Sequence, residues 1–457
     1  EMEAAGVVAD AITYNALISA CQKGKQLEHV EALYLEMLEV GVPPTPFTFT
    51  ALIAARGGAG EWEAAVRALR EMQRQGTPPT CAVYNAAITA CGRSRQWRAA
   101  QSLFDEMAGR SVRPNAVTLS ALIAAYSAGG QWEAALAAFD DATAQGVERN
   151  TVVYSAAMSA CQRGKQGTLA LQLLRRMKQE GVEPNTTTYN TVIAACGRSR
   201  LADAALEVFE EMREHEVERD TVTYTALIDA CARGHRRQDA LEVFAAMRAE
   251  GVPPNTVTYG ALLRTCEGAG LWEEAAAHLT EMRMAGLTPN VLTFNSLLAA
   301  CAAAGQVERA EQVCADMEAA GVERNASTYA HLINAFAARS KWEQVLGVFE
   351  RMRAHNLTTN VTSVYNALIR ACQKGRDWRR ALAVYQGMGR DGVAPDKTTY
   401  RTLISALEDE DQWERAMQIH KEMTRSGLSG LDWPPYNTYE SAHASRLDRD
   451  GHVERER

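Results

Sequence analysis

Apolar and polar positions along this chain recur at helical spacing rather than alternating as they would in a strand. Between residues 46 and 80, Phe49, Leu52, Ile53 and Arg56 keep one face of a first helix at i, i+3, i+4 and i+7. Trp62, Ala65, Val66, Leu69 and Met72 form the apolar stripe of a second helix. The block then repeats. An aromatic residue or leucine stands at Tyr14, Phe49, Tyr84, Leu119, Tyr154, Tyr189, Tyr224, Tyr259, Phe294 and Tyr329, always 35 residues apart. One step of 36 leads to Tyr365 and 35 more to Tyr400. Twelve repeats follow, at 11–45, 46–80, 81–115, 116–150, 151–185, 186–220, 221–255, 256–290, 291–325, 326–361, 362–396 and 397–431. Residues 1–10 are expected to be the tail of a truncated preceding repeat, and 432–457 a capping helix with a charged tail.

Turn chemistry punctuates each repeat. Glycine pairs such as Gly57-Gly58 and Gly129-Gly130 are expected to break the chain between the two helices. Gly41, Gly76, Gly146, Gly181, Gly251, Gly286, Gly321, Gly392 and Gly427 stand where the second helix should end in a left-handed cap. Proline often follows, and Asn, Asp or Thr then opens the next repeat, suited to capping its first helix. The fold class expected is all-α: a right-handed α-solenoid of about twelve helix-turn-helix repeats, each burying its core only against its neighbours.

Composition changes this picture little. Hydrophobic residues make up 47% of the 457, too many for a disordered chain, and no apolar run approaches the roughly 20 residues of a membrane span. Eight of the ten cysteines (Cys21, Cys91, Cys161, Cys196, Cys231, Cys266, Cys301 and Cys372) fall on the repeat lattice. Equivalent helices of stacked repeats lie about 8–10 Å apart, beyond disulfide reach. These cysteines therefore read as small buried residues.

The segment Thr188-Tyr189-Asn190-Thr191-Val192-Ile193, followed by Ala204, Leu206, Phe209 and Met212 and preceded by Pro184-Asn185, resembles the pentatricopeptide repeat in its plain 35-residue form. The tetratricopeptide repeat has a period of about 34 and a different aromatic pattern, which does not fit. The resemblance implies a single-stranded RNA binder that reads one base per repeat. The residue after the tyrosine and the last residue of the repeat would face the base together. Carried onto this chain, the pairs are Asn15 with Thr45, Thr50 with Thr80, Asn85 with Asn115, Ser120 with Asn150, Ser155 with Asn185 and Asn190 with Asp220. They continue as Thr225 with Asn255, Gly260 with Asn290, Asn295 with Asn325 and Asn366 with Asp396; Ala330 with Asn360 predicts nothing firm, and Arg401 with Leu431 lies outside the code. The expected target is 5′-Y-R-C-A-A-U-A-A-C-N-U-3′. The resemblance also places the second residue of each repeat between adjacent bases; Phe47, Val117, Val152, Val222, Val257 and Leu292 are bulky enough to stack.

A net charge of −8 argues against a nucleic-acid partner when taken alone. Its distribution answers that objection. Lys23, Lys25, Arg93, Arg95, Arg163, Lys165, Arg198, Arg200, Arg233, Lys374 and Arg376 recur at one register after the first helix, forming a stripe suited to phosphates. Acidic pairs such as Asp105-Glu106, Glu210-Glu211 and Glu273-Glu274 gather on the second helices, a convex back that could take a basic protein partner. Seven tryptophans, at 62, 97, 132, 272, 342, 378 and 413, open second helices and read as packing between repeats before they read as base platforms.

His29-Val30-Glu31 matches half of a zinc-deaminase signature, but no Cys-x-x-Cys exists, and no phosphate loop or nucleophile elbow stands out. No cofactor, metal or catalytic residue is expected. The expected function is sequence-selective binding of organellar messenger RNA (stabilisation, processing or translation). High Ala, Gly and Arg usage tilts localisation toward chloroplast over mitochondrion. The alternative is a structural subunit of an organellar ribosome or similar assembly, gripping rRNA or a protein.

Overall fold

The computed structural model describes residues 9–142, 146–338, 342–354 and 362–428. Among them lie twenty-four helices and no strand, two per repeat. In repeat 2 these are Pro46–Gly58 and Trp62–Arg74; in repeat 3, Cys81–Arg93 and Trp97–Gly109. The all-α class is the one expected. None of the helices is long and apolar enough to cross a membrane.

The chain divides into two compact units. The first comprises residues 1–265 with 278–288, and the second 266–277 with 289–457. Within each, the first helix of a repeat packs on the first helix of the next, and the second helix packs on its own partner and on the following first helix. This makes two layers with the core between them. The repeating tyrosine is buried there, as at Tyr84, Tyr154, Tyr189 and Tyr224. Its ring meets an aromatic of the preceding second helix edge-on: Phe139 with Tyr154 at 5.0 Å, Phe209 with Tyr224 at 5.4 Å. Such pairs contribute about 0.5–1.5 kcal/mol beyond area burial.

Local chemistry explains where the helices stop. Gly41 takes φ +76°, its N–H bonds to the Leu38 carbonyl, and the Val42 N–H reaches back to Met37. This satisfies carbonyls that the ended helix orphans. One turn differs from expectation. Gly57 and Gly58 lie inside the helix, and the chain turns at Ala59-Gly60. Gly57 serves packing instead: an added Cβ would stand 2.4 Å from the Ala90 Cβ on the neighbouring first helix. Gly92 and Gly197 meet Ala125 and Ala230 in the same way.

The tryptophans close the seams between repeats. Trp97 lies against Gly129 and Trp132 against Gly164, each one repeat onward, so tightly that a Cβ at either glycine would clash. All ten cysteines are free thiols; Cys21 and Cys81 are half-buried and the rest buried. Burial pushes Cys91 and Cys196 up to about 11 and Cys161 up to about 12, which makes them poor nucleophiles.

Candidate nucleic-acid interface

The last residue of a repeat is the N-cap of the next first helix, and this double duty fixes its geometry. Asn115 has extended backbone (φ −125°), and its Oδ1 accepts the Thr118 N–H at 2.9 Å. Asn185, Asp220, Asn255, Asn290, Asn325 and Asp396 do the same for the N–H three residues on. Asn150 accepts from both Val152 and Val153. With one side-chain oxygen spent on the helix, an Asn has its Nδ2 donor left over and an Asp its second oxygen, an acceptor. Thr45 also caps, through its single hydroxyl, whereas Thr80 makes no side-chain cap.

The residue after the tyrosine reaches this cap when it is Asn. The Asn15 Nδ2 donates to Thr45 Oγ1 at 3.0 Å, Asn85 to Asn115 at 3.4 Å and Asn190 to Asp220 at 3.2 Å. In the second compact unit, Asn295 donates to Asn325 at 3.2 Å and Asn366 to Asp396 at 3.1 Å. Five pairs separated by 30 residues are thus joined directly. Where the residue is Ser or Thr the pair is not joined. Thr50, Ser120 and Ser155 instead donate to the carbonyl one turn back in their own helix, at 2.7–2.8 Å. Thr225 contacts Thr258 at 2.7 Å rather than Asn255. Gly260 and Asn290 belong to different compact units, while Asn360 and Leu431 lie outside the described residues, as do the leading residues 1–8 and the expected capping helix.

Beside these pairs stand the bulky second residues, all exposed: Phe47 by 56%, Val117 by 59%, Val152 by 60% and Leu292 by 46%, with Val222 and Val257 alike. Apolar side chains recur in water at this register, the kind of exposed row that can take a partner. Between repeats 1 and 2, Ile12, Asn15, Ser19, Lys23 and Phe47 line an open cleft of about 500 Å³.

The basic stripe is exposed throughout. Five members, Lys25, Arg95, Lys165, Arg200 and Arg376, hold left-handed backbone with φ of 55–59°. Gly60 and Gly130 hold the same turn position without steric cost. A side chain there costs roughly 1 kcal/mol, yet a cation occupies it five times. One member departs from expectation. Arg233 is ion-paired to Asp229 at 2.8 Å, so part of its charge is already neutralised.

On the acidic second helices Asp105, Glu210, Glu273 and Glu274 are exposed, while neighbouring carboxylates are engaged within the array. Glu106 binds Arg70 and Arg110 and accepts the Tyr84 hydroxyl at 2.9 Å. Glu180 binds Arg149 and Arg176 and accepts from Tyr154 at 2.7 Å, and Glu211 pairs with Lys178 and accepts from Tyr189. Burial first, then the neighbouring Glu106, pushes Tyr84 up to about 12, so its hydroxyl stays a donor. Among the acidic cap residues, burial raises Asp220 and Asp396, but hydrogen bonds from Thr223 and Thr399, with those from Asn190 and Asn366, prevail. Both carboxyls titrate below the ordinary range and stay charged at neutral pH.

Sequence reasoning missed the threonine at the third position of each first helix. Thr48, Thr118, Thr223, Thr328 and Thr399 are fully buried beneath the pairs. The signal was present: nine of the twelve repeats have Thr there and three have Val.

Family models decide the kinship. The pentacotripeptide-repeat region of PRORP matches residues 70–240 and 196–345, the PPR repeat family 9–56 and 361–409, and the PPR repeat 47–77 and 398–428. The chain belongs to the pentatricopeptide repeat family. Among solved structures, this pentatricopeptide chain is similar to PPR10 from maize at 24% identity and TM-score 0.55, covering 99% of this chain and 74% of that one. PPR10 in complex with an 18-nt psaJ RNA element matches at 21% identity and TM-score 0.36, covering 93% and 81%. Yeast Rmd9p in complex with a 16-nt target RNA matches at 12% identity and TM-score 0.42, covering 93% and 98%. No curated protein sequence matches the chain. Among the described residues no group of His, Cys, Asp and Glu is placed to hold a metal ion.

Proposed function

We propose that this protein binds single-stranded RNA, one base per repeat, and that it selects organellar transcripts through the paired residues described above. One observation carries the reading. Five Asn side chains are hydrogen-bonded across 30 residues to the next helix cap, at the same register as exposed apolar side chains. A base stacked beside Val117 or Val152 would present its Watson–Crick edge to the donor or acceptor that the cap leaves over. The basic turn residues would meet its phosphates. Family membership supports the reading, as does the likeness in fold to PPR10, a protein also solved with an RNA element. Binding would protect, remodel or help translate a transcript. An assembly subunit that takes a basic protein on its second helices finds less support, since Glu106, Glu180 and Glu211 are engaged within the array.

The purified chain should bind a short RNA carrying CAAUAAC at least ten-fold more tightly than a scrambled control, a ratio equivalent to about 1.4 kcal/mol. Equal, feeble binding to both RNAs would remove the one-base-per-repeat reading and favour the assembly subunit.

A further inference from the structure

We propose that the buried threonine at the third position of each first helix is a third member of the base-reading set: a positioning residue that orients the asparagine of the preceding repeat. This rests on the RNA-reading function above and deepens it.

An amide side chain has two faces, and a base can tell them apart only if the amide cannot flip. In four of the five Asn repeats a threonine favours one orientation. The Thr48 hydroxyl lies 2.5 Å from Asn15 Oδ1, Thr118 2.6 Å from Asn85, Thr328 2.7 Å from Asn295 and Thr399 2.6 Å from Asn366. Each hydroxyl is also near the oxygen of the cap residue, at 3.0 Å for Asn115 and 3.1 Å for Asn325. A hydroxyl has one proton, and the shorter contact to the Asn is the better hydrogen bond. With Oδ1 held by the threonine and one Nδ2 proton directed at the cap, the second Nδ2 proton is the group left for a base. A flipped amide would set Oδ1 against the cap oxygen and lose that bond; Nδ2 could then only donate to the hydroxyl oxygen, whose proton would turn to the longer contact with the cap.

Repeat 6 is the exception. Thr223 donates to Asp220 at 2.9 Å, and Asn190 Oδ1 is buried with no partner.

The sequence carries an independent sign of the same coupling. Each of the five Asn residues at the reading position is followed, 33 residues later, by Thr. The three repeats that have valine at the third position, Val83, Val153 and Val364, follow Thr50, Ser120 and Ala330, none of which has an amide to orient. Valine therefore suffices for the helix; Thr also follows Ser155, Thr225 and Gly260, but no Asn is followed by valine.

The test uses the full chain with Thr118→Val and Thr328→Val together, which act on the two Asn–Asn repeats. Binding is measured to the RNA above and to variants with a single base changed opposite repeat 3, repeat 9 or repeat 4, where Ser120 is already followed by valine. The expected result is that discrimination opposite repeats 3 and 9 falls from roughly ten-fold to about two-fold. Discrimination opposite repeat 4 should hold, and Thr118→Ser with Thr328→Ser should restore the wild-type ratios. Wild-type ratios in the valine variant would overturn the proposal while leaving the RNA reader standing. A uniform loss of affinity for every RNA, unrescued by serine, would show a merely structural threonine and overturn it as well. A wild-type chain that discriminates nowhere would overturn the reader itself, and the proposal with it.

Discussion

On the proposed reading, replacing Asp220 with Asn should convert repeat 6 from a reader of U into a reader of C. The Asp220 carboxylate commits Oδ1 to the Thr223 N–H at 2.8 Å, the Thr223 hydroxyl at 2.9 Å and Asn190 Nδ2 at 3.2 Å. Its second oxygen is the atom free to accept the N3–H of uracil. Asparagine can keep all three Oδ1 contacts and places an N–H where the oxygen stood. Uracil then meets a donor with a donor, while the N3 of cytosine gains a partner. A base contact of this kind is worth about 1–3 kcal/mol, so the U-to-C preference should shift by roughly ten- to a hundred-fold. Folding should hardly change, since Asn and Asp cap equally well and the lost charge at the helix start is worth under about 1 kcal/mol. Fluorescence anisotropy with labelled RNAs differing only at the sixth base measures the shift, and thermal unfolding checks the fold. An Asp220→Asn chain that still prefers U, or that loses affinity equally for both bases, would refute this assignment of the atoms.

Three further outcomes are expected. Gly57→Ala forces a Cβ to 2.4 Å from the Ala90 Cβ, and overpacking of about 1–3 kcal/mol should exceed the roughly 1 kcal/mol helix gain, so the melting temperature should fall; an unchanged or higher one would contradict the close approach. Asp220 and Asp396 have depressed pKa values, so their capping contribution is complete above the unfolded carboxyl pKa of about 3.9 and is lost as pH falls through the lower folded values. Wild type and the double Asn variant should accordingly converge in melting temperature only below that pH. Alkylation should reach Cys21 and Cys81 first, and bound RNA should shield Cys81, whose Sγ lies 3.4 Å from the Thr118 hydroxyl; peptide mapping that shows Cys81 equally reactive with RNA present would place the RNA elsewhere.

Much of this was legible in the sequence because helical packing leaves a periodic trace. The tyrosine lattice and the capping glycines fix both helices of every described repeat. Gly57-Gly58 misled because glycine marks a break and a close helix contact alike, and only the position of Ala90 distinguishes the two. The loss of Arg233 to Asp229 is an i, i+4 pairing that charge counting overlooks. The engagement of Glu106 was not legible because its partner Arg70 lies 36 residues away. The third-position threonine was hidden because a residue on a first helix does not name its partner; its proposed role emerges only when the hydroxyl is placed beneath the amide of the repeat before.

The double duty of the residue ending each repeat has, on the proposed reading, a consequence for how such a protein can change. The residue that would be offered to the base must also start a helix, so the set of workable letters is restricted to side chains that cap. Most exchanges within that set alter which base is favoured and leave the array folded. Substitutions outside it forfeit about 1 kcal/mol at a helix start along with the contact. Drift at these positions would therefore retarget the protein more readily than disable it, and an engineer who rewrites its specificity works within the same short alphabet.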